Sequence, residues 1–186
     1  MIRRSDVGQG LAATILVAAL LVAGGTEAAP RVAVADEYHV KAAFLVSFAK
    51  FVEWPEGGAA DPAGIVVIEP DPFGRALDEC ASDASLAHGL SVVRMPAGRP
   101  VPPCRMLFIG ARSGAPGLRA LAGVEPGTLT IGETQEFLER GGIVRLVVDD
   151  GHIRIEINFE AAQRSGLRIS SKLLRVATIR HEGDLR

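Results

Sequence analysis

The chain has 186 residues, 48% of them hydrophobic and 23% charged, with a formal net charge of −2. That balance excludes a disordered chain, and the absence of a basic stripe excludes a nucleic-acid surface. The length fits one domain plus a removable leader and leaves no room for two cores.

Residues 1–35 read as a secretory signal peptide. Arg3 and Arg4 supply its positive start, and Leu11 to Ala23 form an apolar run too short to span a bilayer comfortably. Ala33-Val34-Ala35 fits the small-x-small cleavage pattern, with an earlier option after Ala28; an uncleaved anchor is the alternative. The domain then runs over 36–180, with a formal charge of −3 once the leader's three arginines and two acids are gone, and 181–186 reads as a flexible polar tail.

Asp36 to Trp54 is the clearest helix, with Val40, Phe44, Leu45, Phe48, Phe51 and Val52 on one broad apolar face and Pro55 as the stop. Lys41 points into the middle of that face. It either snorkels past the helix end or pairs with a carboxylate or carbonyl groups beneath it. Trp54 either packs over the helix end or stands out as an aromatic anchor for a partner.

Ile65-Val66-Val67-Ile68 is a continuous β-branched run that suits a strand covered on both faces. Asp71-Pro72-Phe73-Gly74 opens a helix, with Asp71 as N-cap and Pro72 in its first turn. Leu90–Arg94, Met106–Ile109 and Leu129–Ile131 read as further strands, and Leu118–Leu121 and Thr134–Arg140 as short helices. Gly141-Gly142 supplies a left-handed cap. Asp149-Asp150-Gly151-His152 between Ile143–Val148 and Ile153–Ile157 predicts a β-hairpin. Asn158 caps a last helical stretch, broken at Ser165-Gly166 and restarted at Ser170. The expected fold is one α/β domain: a mixed, mostly alternating β-α sheet with helices on both faces and a C-terminal β-hairpin.

No zinc-protease, phosphate-loop or nucleophile-elbow pattern is present. The serine of Gly110-Ala111-Arg112-Ser113-Gly114 sits one place late for an elbow. That glycine-rich loop, continuing to Gly117, is either a plain connection or an anion site with Arg112 as helper. Lys172, Arg175 and Arg180 form either a solvated face or a contact for anionic headgroups or an acidic partner patch. Cys80 and Cys104 are either a disulfide, the default in an oxidising compartment, or two buried thiols. No catalytic residue, metal or cofactor is expected, and Lys41, Trp54, Phe73 and Arg112 are the candidate contacts for a partner or ligand.

With these segments in order, the body resembles the YfiR family of periplasmic proteins. The resemblance rests on Tyr38-His39-Val40-Lys41-Ala42-Ala43-Phe44-Leu45, Phe48-Ala49-Lys50-Phe51-Val52-Glu53-Trp54-Pro55 and Asp71-Pro72-Phe73-Gly74. It continues through Cys104 ahead of Leu107-Phe108-Ile109, Gly141-Gly142-Ile143, Ile157-Asn158-Phe159-Glu160-Ala161-Ala162, Gly166-Leu167-Arg168-Ile169-Ser170-Ser171 and Leu173-Leu174. It implies a periplasmic, non-catalytic protein, often dimeric. Such a protein binds the periplasmic part of an inner-membrane diguanylate cyclase, holds it off and so lowers cyclic di-GMP and biofilm formation. It also implies that Cys80 and Cys104 are the family's structural disulfide. Two departures stand out: a second cysteine pair is missing, and Glu133 stands where an aspartate is expected after the strand.

Overall fold

The computed structural model describes residues 34–55, 63–83 and 90–185; the expected leader lies outside them through residue 33, and its last two expected residues, Val34 and Ala35, fall in the first helix. The described residues belong to one compact unit, Arg31–Arg186. The chain alternates helix and strand: α1 (Val34–Phe48), β1 (Val52–Glu53), β2 (Ala63–Ile68), α2 (Arg75–Ser82), β3 (Val92–Met95) and β4 (Cys104–Ile109). It continues with α3 (Gly114–Leu118), β5 (Leu129–Gly132), α4 (Gln135–Glu139), β6 (Val144–Asp149), β7 (His152–Asn158), α5 (Phe159–Arg164), β8 (Arg168–Ile169), α6 (Ser171–Leu174) and β9 (Thr178–Arg180).

Seven strands form one mixed sheet in the order β3-β2-β4-β5-β6-β7-β9. Pairing is parallel from β3 through to β6, antiparallel in the β6–β7 hairpin, and parallel again between β7 and β9. Strand alternation divides the core into two layers. Ile65, Val67, Met106 and Phe108 meet α1, α2 and the buried alanines of α5 on one side. Val66, Ile68, Leu107 and Ile109 meet Leu118, Phe137 and Leu138 on the other. All four residues of the Ile65–Ile68 run are fully buried, as a doubly covered strand requires.

The hairpin turns where expected: Asp150 (φ 49°) and Gly151 (φ 74°) both take the left-handed conformation that a tight two-residue loop demands. Gly141, at φ 89°, ends α4 in the same way. Gly142 and Gly132 serve a different need. The Phe137 ring lies so close to both that a β-carbon at either would collide with it.

The expected boundaries need several adjustments. The first helix ends at Phe48, six residues early, because the chain then turns and gives Val52 and Glu53 to a two-strand pairing with β8. The helix after β2 begins at Arg75. Asp71 instead accepts a hydrogen bond from the Phe73 N–H at 2.7 Å, and Gly74 occupies the cap position. The hairpin is not the last strand pair, since β9 adds to the outer edge of β7. The polar tail contains a 3₁₀ turn, Glu182–Leu185, and Leu185 is buried in the second core layer.

Candidate functional site

Lys41, a charge on α1, is only 3% exposed. It resolves the open choice in favour of carboxylates: its Nζ lies 2.5 Å from Glu133 Oε1 and 2.6 Å from Glu37 Oε1. Burial alone pulls such an ammonium down, but hydrogen bonds to Glu133 and Glu37 outweigh it and hold the pKa above the usual lysine value. The ammonium also sits 4.8 Å from the centre of the Tyr38 ring. Burial and the Glu133 charge raise the Tyr38 phenol in turn. The other oxygen of Glu133 accepts from the Ala111 N–H at 2.8 Å. One carboxylate thereby ties α1 to the loops that follow β4 and β5.

Phe73 and Arg112 lie at the same end of the sheet. Phe73 is 5% exposed and packs edge-on against Tyr38 (5.7 Å) and Phe108 (4.6 Å), so it is core. Arg112 is exposed and reaches the Asp71 carbonyl at 3.5 Å, in the loop after β2. Asp71 also receives Arg94 at 2.6 Å; Arg94 meets Asp78 at the same distance, and that hydrogen bond lowers the Asp78 pKa. Strands β2 and β4 leave toward opposite sides here, and their carboxyl ends form the crevice where open α/β sheets commonly bind ligands. In this chain Asp71, Arg94 and Asp78 pair with one another beside it.

Trp54 stands apart from these three. Its indole N–H donates to the Arg105 carbonyl at 3.3 Å, beside the start of β4, and the Arg105 guanidinium lies 5.7 Å from its ring. The ring is partly buried against the first core layer and borders a cavity with Glu53, Pro55, Gly166 and Arg168.

Cys80 and Cys104 are both free thiols in this structure. Cys80, near the end of α2, packs in the first core layer, whereas Cys104, which opens β4, packs in the second. Burial raises both thiols, Cys104 to about 11, which leaves them protonated and weakly nucleophilic.

An apolar groove runs between α1 and the hairpin. It is lined by Glu37, Val40, Phe44, Val148, Gly151, His152 and Ile153, with a volume of about 530 Å³. Val40 is 43% exposed and Val148 is 41% exposed. No helix among the described residues is long and apolar enough to cross a membrane, and none of their His, Cys, Asp and Glu side chains gather in threes that could hold a metal.

The family model described as YfiR/HmsC-like matches residues 38–178. The chain belongs to the YfiR/HmsC-like family. Membership supports a periplasmic role in regulating diguanylate cyclase signalling. Among solved structures, a conserved domain protein from Vibrio cholerae superposes with a TM-score of 0.54 at 14% identity. The alignment covers 76% of this chain and 59% of that one, so this chain spans well under two thirds of its length. The ABC domain from Streptococcus pneumonia in complex with L-Trp aligns at TM-score 0.49 and 13% identity, over 74% of this chain and 59% of that one. No curated protein matches.

Within this YfiR/HmsC-like domain, sequence reasoning missed two features. Glu133 was visible only as a departure from the aspartate expected there, with nothing to join it to Lys41 92 positions earlier. The groove was hidden because Val40 reads as a core position on the helix face. Its actual neighbour is the hairpin, which leaves that edge of the face uncovered.

Proposed function

We propose that this protein is a non-catalytic regulator that binds the periplasmic domain of an inner-membrane diguanylate cyclase and holds it inactive. The observation that carries this reading is the family match over 38–178, which spans nearly all of the described domain. Inhibition then follows from differential binding: a partner with two states is shifted toward the quiet one by whatever binds that state better. A tenfold preference shifts the balance by only ~1.4 kcal/mol. A homodimer gripping two cyclase chains would add avidity to that modest preference.

The groove between α1 and the hairpin supplies apolar surface of the kind such a contact needs; Arg112, which is exposed, and Trp54, which is partly so, lie outside the groove and offer further contacts. Lys41 and Phe73 act from within, by setting the position of α1. Capture of membrane proteins with the purified domain tests the reading directly. A cyclase should be retained, and deleting the gene should raise cyclic di-GMP. An unchanged level with no cyclase captured would defeat it.

A second reading, a small-ligand receptor for another membrane signalling protein, is favoured by the groove's volume, which falls within the range of small-molecule sites. Thermal-shift screening separates the two: a melting rise with a metabolite, and no cyclase captured, selects the receptor.

A further inference from the structure

No Asp or Glu occurs between Glu160 and Glu182, whereas Arg164, Arg168, Lys172, Arg175 and Arg180 all do, in a chain whose formal net charge is −2. The structure sorts these cations into two groups. Arg164 pairs with Glu182, and Arg180 turns toward Glu156 at 4.0 Å, so carboxylates answer both. Arg168, Lys172 and Arg175 are exposed and have neither an ion pair nor a side-chain hydrogen bond among the described residues. Glu53 faces Arg168 in register across the β1–β8 ribbon, but the two do not pair.

The same stretch exposes an apolar side chain. Val176 is 71% exposed, the most of any large hydrophobic residue described. The Ser170 N–H donates to the Phe51 carbonyl at 2.8 Å and fixes the start of α6, and the Val176 N–H still donates to the Leu173 carbonyl at 3.1 Å. Lys172, Arg175 and Val176 therefore stand at i, i+3 and i+4 and share one helix face, while Leu173 is buried in the first core layer. Solvation accounts for the cations on that face and not for the valine. An acidic protein patch would answer the cations but would need a socket shaped to Val176. An anionic bilayer answers both: its phosphates pair with the cations, and its acyl boundary takes the valine without a fixed shape. We propose that the face built by Arg168, Lys172, Arg175 and Val176 docks the domain, weakly and reversibly, on an anionic lipid surface. The rest of the protein carries the excess acid, so the same lipids repel it and set the docked orientation. The proposal does not rest on the cyclase reading, since bare lipid is the ligand.

Sedimentation of the purified protein with phosphatidylcholine vesicles, with and without phosphatidylglycerol, tests the assignment. Binding should require phosphatidylglycerol and fall away at high salt. Lys172→Gln and Arg175→Gln should each weaken it about fivefold, and Val176→Ser several-fold. Arg119→Gln removes the same charge from an exposed position next to Leu118 of the second core layer, and should leave binding unchanged. Three outcomes overturn the proposal. One is equal binding to phosphatidylcholine alone, and another is a loss with Arg119→Gln as large as that with Arg175→Gln. The third is no lipid binding while Lys172→Gln combined with Arg175→Gln abolishes capture of a protein partner, which would make this face a protein contact.

Discussion

Helix α1 places two neighbouring residues against expectation: Lys41 is buried and Val40 is 43% exposed. A helix serving only stability would do the reverse. Burying a charge costs desolvation, which Glu37 and Glu133 offset only through close geometry. Exposing a valine forgoes part of its transfer energy. The lysine side fixes where α1 sits, by reaching a carboxylate that also holds the loop after β4. The valine side presents surface at that fixed position. The difference teaches that the helix is a mount as well as a core element.

Breaking the buried side should have the largest effect. Lys41→Ala leaves Glu133 buried and uncompensated, and should cost about 3 kcal/mol in urea unfolding. Lys41→Met combined with Glu133→Gln should recover most of that loss. A Lys41→Ala protein of unaltered stability would mean that the ion pair does not hold the helix.

The exposed side should behave in the opposite way. Val148→Asp, at a groove position 41% exposed, should change stability by no more than about 0.5 kcal/mol. Partner capture should fall about tenfold, read by titrating immobilised domain. A large stability loss with capture unchanged would make the groove part of the core.

A smaller effect is expected at the tail, where His181 Nδ1 lies 2.7 Å from Glu160 Oε1. The hydrogen bond to Glu160 raises His181 above its usual 6.5, and the same bond lowers Glu160 below 4.5. The histidine's contribution is complete below pH 6.5 and fades as pH rises through its raised value. The glutamate's contribution is present above 4.5 and fades as pH falls through its lowered value. Stability from this pair should thus be greatest between those two ordinary values. His181→Ala should flatten that part of the profile in thermal melts.

No effect at all is expected from reductant. With Cys80 and Cys104 free and buried, dithiothreitol should leave the melting temperature unchanged, and thiol reagents should react only after unfolding. A closed disulfide would instead give a loss of roughly 3 kcal/mol on reduction.

Much of this architecture is legible in the sequence wherever a signal is local. The hairpin announces itself through Asp150-Gly151, and β2 through four consecutive β-branched residues. Asn158 and Ser170 cap helices where their types suggest, accepting from the N–H groups of Ala161 and Leu173. What stays hidden depends on distant partners. Strands β1, β8 and β9 are two or three residues long, and Thr178-Ile179-Arg180 carries no pattern until β7 is beside it. Lys41 shows its misfit but not its partner. For the cysteines, compartment chemistry suggests a bond, and nothing local in the sequence shows that Cys80 and Cys104 fall in separate core layers.

Strand β9 is laid down from the last nine residues of the chain, and beyond it the Glu182–Leu185 turn tucks Leu185 under α4. These few residues act as an edge guard. Cutting the chain after Ala177 would bare the outer ladder of β7, an invitation to sheet-to-sheet aggregation.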